Sequence, residues 1–338
     1  MANSPHPVLF RPVAEELRHR GHELIVTTRD HAQTRDLTLG AWPDAAVIGR
    51  ESPASRIAKA GTIVDRVRAL RKHVAAARAD VAVSLNSYAQ IVAARLAGVP
   101  AVTLMDYEYQ PANHLAFRLA TRIAVPEVFP SDRLRTFGAR ARRVTRLAGF
   151  KEELYLDRRP GSPGVELAGD GVARVLFRPP AEGSLYHRGA NLAFDRLVTE
   201  AARRDDVQAI VLPRLVSHRE HYGIMEGVTV PARTIDGLAL LRASDVFVGA
   251  GGTMSREAAL LGVRAYTAFS GRRPAVDEAL IRDGRLHDLA TVNVDRVDFS
   301  PGPRGEDASY EARRRERATE LRSWLIGVIE AAAASPGG

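Results

Sequence analysis

Cysteine is absent from the 338-residue chain. Disulfide frameworks, thiolate zinc sites, iron–sulfur clusters and cysteine nucleophiles are therefore excluded. Lysine is nearly absent as well, since Lys59, Lys72 and Lys151 are the only lysines among 48 basic residues. No apolar run approaches the roughly 20 residues that span a bilayer, and the opening MANSPHPVLF has no basic stretch leading an apolar one. The expectation is a cytoplasmic protein with no transmembrane segment. No Asp-x-Asp pair, no G-x-S-x-G elbow and no Walker loop occurs, so nothing local calls for a divalent ion, a serine triad or a P-loop.

What is present is arginine. A formal charge of +8 invites a nucleic-acid footprint, but no binding motif accompanies it, and the arginine bias reads as GC-rich coding spread over solvated helix faces. Partners are expected among small anions, because the guanidinium fork binds phosphate and carboxylate bidentately. His218-Arg-Glu-His221 lacks the i, i+4 spacing of a zincin helix and reads as a solvated face.

The chain alternates short apolar runs with helical stretches, which is βαβ logic. Glu23–Thr28, Ala45–Ile48, Val81–Leu85, Ala101–Met105 and Arg122–Val125 are strand-like, with helices over Val8–Arg20 and Ser55–Ala79. A stretch dense in proline and glycine at residues 157–171 marks a boundary. A second set follows at Ala173–Phe177, Gln208–Leu212, Val228–Val230, Val246–Gly249 and Ala265–Phe269. The expected fold class is α/β, with doubly wound Rossmann-like domains at 1–157 and 172–307 facing across a cleft, and a charged C-terminal helix at 308–338. No apolar run precedes Asn3, so the expectation is either a start codon placed late, with the strand that should feed the helix Val8–Arg20 missing, or a first sheet one strand short.

Three loops carry candidate chemistry. In VFVGAGGTMSREAALLGV (Val246–Val263) a buried strand meets glycines and then a helix, where free amides and the positive end of the dipole suit a phosphate. Glu257 lies one turn in, within reach of a hydroxyl pair. A tight strand–helix turn capped by Thr253 or Ser255 fits the same string. FRPPAEGSLYHRGAN (Phe177–Asn191) gathers Arg178, Glu182, Ser184, Tyr186, His187 and Arg188 at a strand's carboxyl end, where open α/β sheets bind ligands or simply display a solvated loop. LMDYEYQPANHL (Leu104–Leu115) supplies Asp106, Glu108, Asn113 and His114, and two carboxylates can divide acid and base roles when their environments differ.

NSPHPVLFRPVAEELRHRGHELIVTTRDHAQT, RPPAEGSLYHRG, and VGAGGTMSREAALLG with FSGRRPAVDEALIRDGRL together resemble domain-of-unknown-function family 354. Its members are similar in fold to GT-B glycosyltransferases and to UDP-N-acetylglucosamine 2-epimerase. The resemblance implies a metal-independent glycosyltransferase with a nucleotide sugar, UDP-linked, as co-substrate and no other cofactor. It places the diphosphate on Gly251, Gly252 and Thr253 and the ribose on Glu257, with Ser255, Arg178, Glu182, His187, Arg188, Arg214 and Glu278 completing the nucleotide-sugar set. His6 matches a loop histidine of the peptidoglycan N-acetylglucosaminyltransferase and is expected, with a near-neutral pKa, to be the general base on a loop before the first helix. Asp106 and Glu108 are the other catalytic candidates. Two alternatives are a 2-epimerase using Asp106, Glu108 and His187, although Ala112 stands where its catalytic glutamate would be, and a catalytically idle sugar-nucleotide-binding protein. The acceptor is open, and either a monomer or a homodimer is expected.

Overall fold

The computed structural model describes residues 1–3, 5–49, 56–159, 161–180, 192–232, 235–292, 294–302 and 308–335. The chain forms two compact units, one of Met1–Tyr155 with Arg314–Gly338 and one of Leu156–Arg313.

The first unit runs through α1 (Pro5–His19), β1 (Thr27–Thr28), α2 (Ala32–Ala41), β2 (Ala46–Val47), α3 (Arg56–Ala76) and β3 (Ala82–Leu85). It continues with α4 (Tyr88–Leu96), β4 (Ala101–Leu104), α5 (Asn113–Leu119), β5 (Arg122–Pro126), α6 (Ser131–Thr136), a 3-10 turn over Ala141–Arg143, β6 (Val144–Leu147) and a second 3-10 turn over Lys151–Leu154. α1 buries His6, Leu9, Phe10, Val13 and Leu17, the three- and four-residue spacing of one apolar stripe. It ends in a Schellman arrangement: Gly21 takes φ +86°, and the His22 amide donates to the Leu17 carbonyl at 3.1 Å.

β1 and β2 pair only with each other, whereas β3, β4, β5 and β6 form a parallel sheet in that order. No described strand joins the two. The backbone of Met1 stands beside β1, its carbonyl accepting from the Arg29 amide at 3.1 Å. On β3, the edge turned away from β4 is served by a side chain, with Gln90 Nε2 donating to the Val83 carbonyl at 3.0 Å. Among the described residues, β1–β2 and β3–β6 are thus two separate parallel sheets. The strand-like runs at 23–28 and 45–48 pair over two residues each, Thr27 with Ala46 and Thr28 with Val47.

The second unit contains β7 (Ala173–Arg178), α7 (Leu192–Ala202), β8 (Val207–Val211), α8 (Val216–Gly223), β9 (Val228–Thr229) and α9 (Gly237–Arg242). β10 (Val246–Gly249), α10 (Gly252–Leu261), β11 (Arg264–Thr267), α11 (Ala275–Arg282) and β12 (Leu286–Asp288) follow. Its six parallel strands are ordered β12-β11-β10-β7-β8-β9, the doubly wound arrangement. Apolar side chains of both faces are buried, Val175, Phe177 and Val248 on one and Leu176, Ile210 and Phe247 on the other, and the ring of Phe177 meets that of Phe194 on α7 edge to face at 5.9 Å. The order reverses between β7 and β10, where Arg178 pairs in register with Gly249. A crevice at such a switch point, at the carboxyl ends of the strands, is where open α/β sheets take ligands.

The proline- and glycine-rich stretch 157–171 is held to the second unit by hydrogen bonds, among them Ala168 N to Gln208 Oε1 at 2.9 Å. α12 (Ala308–Ala333) belongs to the first unit from Arg314 onward and buries Ala318, Leu321, Leu325, Ile329 and Ala332. No helix among the described residues is long and apolar enough to cross a membrane.

Candidate functional site

Each unit gathers its own set of sequence-nominated residues. In the second unit, β10 is fully buried and ends at Gly249, and the chain passes through Ala250 and Gly251 into α10 at Gly252. A Cβ at Gly251 would run into the guanidinium of Arg214, and one at Gly252 would lie 2.8 Å from Arg256 Nη2. Both contacts are with the ends of flexible arginine side chains, so a Cβ at either position would displace a guanidinium from the helix start. Gly251, Gly252 and Thr253 are half-buried at the amino end of α10, where backbone amides lack intrahelical acceptors. Ser255 serves the loop itself, because its buried hydroxyl donates to the Gly251 carbonyl at 2.7 Å.

Two guanidiniums converge on this helix start. Arg178, the last residue of β7, donates through Nη1 to the carbonyls of Leu212 and Pro213, both at 2.8 Å. Its Nε is buried with no hydrogen-bond partner among the described residues. Arg214, in the loop after β8, donates through Nε to the Pro179 carbonyl at 3.1 Å. Neither has a carboxylate within ion-pair distance among the described residues. Burial pulls Arg178 down to about 9, with the charge of Arg214 adding to the drop and Glu257 opposing it. Burial lowers Arg214 too. Glu257 itself is 9% exposed. These cations are kept out of water without a full counter-charge, which is costly unless an anion completes the set.

The supports of this cluster were not nominated from sequence. Arg256 Nε bonds Asp277 Oδ1 at 2.6 Å with both side chains buried, tying α10 to the first turn of α11. His218 is 5% exposed rather than solvated, and its Nδ1 accepts from the Arg214 amide at 3.3 Å, which clasps the loop that carries Arg214. Glu278 sits half-buried in the first turn of α11 beside Asp277. Glu182, Ser184, Tyr186, His187 and Arg188 lie outside the described residues.

In the first unit the candidates collect at the carboxyl end of β4. Lys151 is 3% exposed, and its Nζ bonds Glu152 Oε1 at 2.6 Å and Asp106 Oδ2 at 3.2 Å. Glu108 is fully buried and paired with Arg133 at 3.1 Å. The connecting loop is pinned by Asn113, whose Nδ2 donates to the carbonyls of Glu108 at 2.8 Å and Tyr107 at 3.1 Å. Asn113 Oδ1 in turn accepts from Asn86 at 3.0 Å, and Asn86 occupies the left-handed region at φ +47°, which asparagine tolerates better than most residues.

His6 departs from expectation in two respects. It lies in the first turn of α1 rather than on a loop before it, and it is 3% exposed. Burial, reinforced by the α-amino group, Lys151 and Arg66 and opposed by Asp106, lowers its pKa to about 3. The Ala2 amide donates to His6 Nδ1 at 3.3 Å, so the neutral ring carries its proton on Nε2. A near-neutral imidazole was expected; the structure holds one that stays neutral well into the acid range.

Two parallel α/β units, the second with a glycine-rich helix start at its switch point, define the GT-B class of fold. The chain belongs to the family described as "Protein of unknown function (DUF354)", which it matches over residues 1–297. An uncharacterised protein of Methanocaldococcus jannaschii is 26% identical over 298 residues, 85% of each chain. Among solved structures, the glycotransferase of kitacinnamycin superposes with a TM-score of 0.62 at 20% identity, covering 98% of this chain and 97% of that one. The UDP-GlcNAc 2-epimerase of Neisseria meningitidis bound to UDP-GlcNAc gives a TM-score of 0.66 at 13% identity, covering 100% and 94%.

Proposed function

We propose that the protein is a nucleotide-sugar-dependent glycosyltransferase whose donor diphosphate docks at the amino end of α10. The observation that carries this reading is the pair of buried guanidiniums, Arg178 and Arg214, beside Gly251, Gly252 and Thr253, with no ion-paired carboxylate among the described residues. A diphosphate would supply the missing negative charge, accept from the free α10 amides, and leave Glu257 to receive the ribose hydroxyls. In transfer, the same cations stabilise the charge that builds on the departing diphosphate. Glu182, His187, Arg188 and Glu278 remain the proposed outer members of the donor set, with a UDP-linked sugar as the donor.

On the acceptor side, the proposed base is Asp106. Its carboxylate is 21% exposed, whereas Glu108 is sealed against Arg133 and His6 is a weak base engaged at Nδ1. Lys151, itself paired with Glu152, holds the Asp106 carboxylate in place. His6 is then a neutral neighbour of this group, with Nε2–H as its donor.

A thermal-shift panel with UDP, TDP, GDP and CDP tests the donor assignment. A ligand present at a hundred times its dissociation constant adds about 2.7 kcal/mol of stability, and silence with all four nucleotides would remove the reading. The 2-epimerase alternative draws on the same fold class, and solvent isotope separates the two. An epimerase that removes and returns the proton next to the anomeric carbon labels its sugar in deuterated water; a transferase leaves the ring hydrogens unlabelled. No deuterium in the sugar is the expected result.

A further inference from the structure

The groups assigned above to the first unit lie at the carboxyl end of its parallel sheet. At the opposite, amino-terminal edge a cavity of about 440 Å³ opens between the end of α4, the α5–β5 turn and the 3-10 turn that leads into β6. Arg95, Arg122, Arg142 and Arg143 line it over an apolar floor that includes Pro100 and Leu119. No carboxylate lines it, and none of the four arginines has a carboxylate within ion-pair distance among the described residues. Elsewhere in the same unit arginines are paired, as Arg133 is with Glu108 and Arg20 with Glu16.

Helix capping accounts for part of this cluster. Arg143 Nη1 donates to the carbonyls of Arg118 and Ala120 at the end of α5, at 2.5 and 3.2 Å, and Arg122 Nη1 donates to the Thr121 carbonyl at 3.2 Å. Arg95 and Arg142 are not explained this way, because their side chains make no hydrogen bond with any described residue. Burial lowers the pKa of Arg143, and repulsion from Arg140, Arg142, Arg95 and Arg122 lowers it further. Several like charges thus converge on one concavity, with two forks fixed and two free to close on a ligand. Phosphate oxygens match that geometry, since each guanidinium offers two parallel donors.

We propose that this arginine basin is a second anion site, distinct from the α10 site, that takes a multiply charged phosphate group such as a polyphosphate or a phosphomonoester headgroup.

The test is calorimetric titration of the full chain with tripolyphosphate at low ionic strength, where screening is weakest, comparing the wild type with Arg95→Gln/Arg142→Gln. Both substitutions are at exposed positions, so an unchanged thermal midpoint in buffer establishes that the fold is intact. Loss of one binding equivalent, or at least tenfold weaker binding at that site, with the response to UDP unchanged, is expected. That pairing separates the basin from the donor site, because failure of the donor reading alters the UDP response alone. An isotherm identical in the double variant, or no tripolyphosphate binding by the wild type, would overturn the proposal. Flotation with phosphatidic acid vesicles, compared with pure phosphatidylcholine, decides the source: flotation lost in the double variant assigns the site to a lipid headgroup, and tripolyphosphate binding without flotation assigns it to a soluble phosphate.

Discussion

Arg214 bears on Arg178 as a like charge: both guanidiniums are buried, both are satisfied chiefly by carbonyl oxygens, and their mutual repulsion helps to bring Arg178 down to about 9. An arrangement of this kind stores unfavourable electrostatics that an arriving anion relieves. The consequence is a pair of effects that diverge. In Arg214→Gln the stability of the ligand-free protein should fall by no more than about 1 kcal/mol, since a buried repulsive charge is removed along with one hydrogen bond. Nucleotide affinity should nevertheless weaken at least tenfold, about 1.4 kcal/mol. Chemical denaturation and calorimetry on the same preparation check both, and a large loss of stability with unchanged affinity would make Arg214 structural.

Glu257 is the acidic member of the same cluster. If it receives the ribose hydroxyls, Glu257→Ala removes charge-assisted hydrogen bonds worth about 1.5 to 3 kcal/mol. Affinity for a ribonucleoside diphosphate should fall more than tenfold. Affinity for inorganic pyrophosphate should not fall, because it presents no ribose and the substitution removes a neighbouring negative charge. Equal losses for the two ligands would show that the glutamate acts through Arg178 and touches no sugar.

Lys151 is buried between Glu152 and Asp106. Removing one partner of a buried ionic group leaves charge without compensation, at a cost of about 3 to 5 kcal/mol. Lys151→Met should therefore destabilise the protein by that order, measured by urea denaturation at neutral pH. The double variant Lys151→Met/Glu152→Leu should recover part of the loss, because it removes one of the stranded carboxylates. No recovery would place the role of Lys151 in packing.

Much of this fold was legible in the sequence. Continuous apolar runs such as Val81–Leu85 and Val246–Gly249 have one reading in an α/β chain, a strand covered on both faces. The glycines before α10 and Glu257 within it were legible because their spacing is local. The cationic partners were legible only as residue types at strand ends: nothing in the string says that Arg178 and Arg214 meet, since 35 intervening positions separate them and the β7–β8 register brings them together. Lys151, Arg133 and the Arg256–Asp277 pair were missed altogether. A lone lysine in KEEL or an arginine inside a helix reads as surface, and only tertiary burial distinguishes it. The state of His6 is not legible for a related reason, because the string carries an ordinary imidazole and the burial that lowers its pKa is tertiary.

That state makes the last prediction. His6 has a pKa of about 3 in the folded protein and about 6.5 when the chain is unfolded. The unfolded chain therefore binds a proton throughout the interval between those values that the folded chain refuses. Stability contributed by the neutral, buried ring is fully present above pH 6.5, falls as the pH drops, and levels off near pH 3, at about 1.4 kcal/mol per pH unit within the window. Asparagine at this position offers an acceptor for the Ala2 amide and does not titrate. In His6→Asn the slope of stability against pH between 6 and 4 should be shallower than in the wild type by about that amount, read from urea midpoints along a pH series. The carboxylates that also titrate there are common to both proteins and cancel in the difference. Parallel slopes would mean that His6 takes up its proton in the folded protein over the same pH range as in the unfolded chain, returning it to the position of an accessible base beside Asp106.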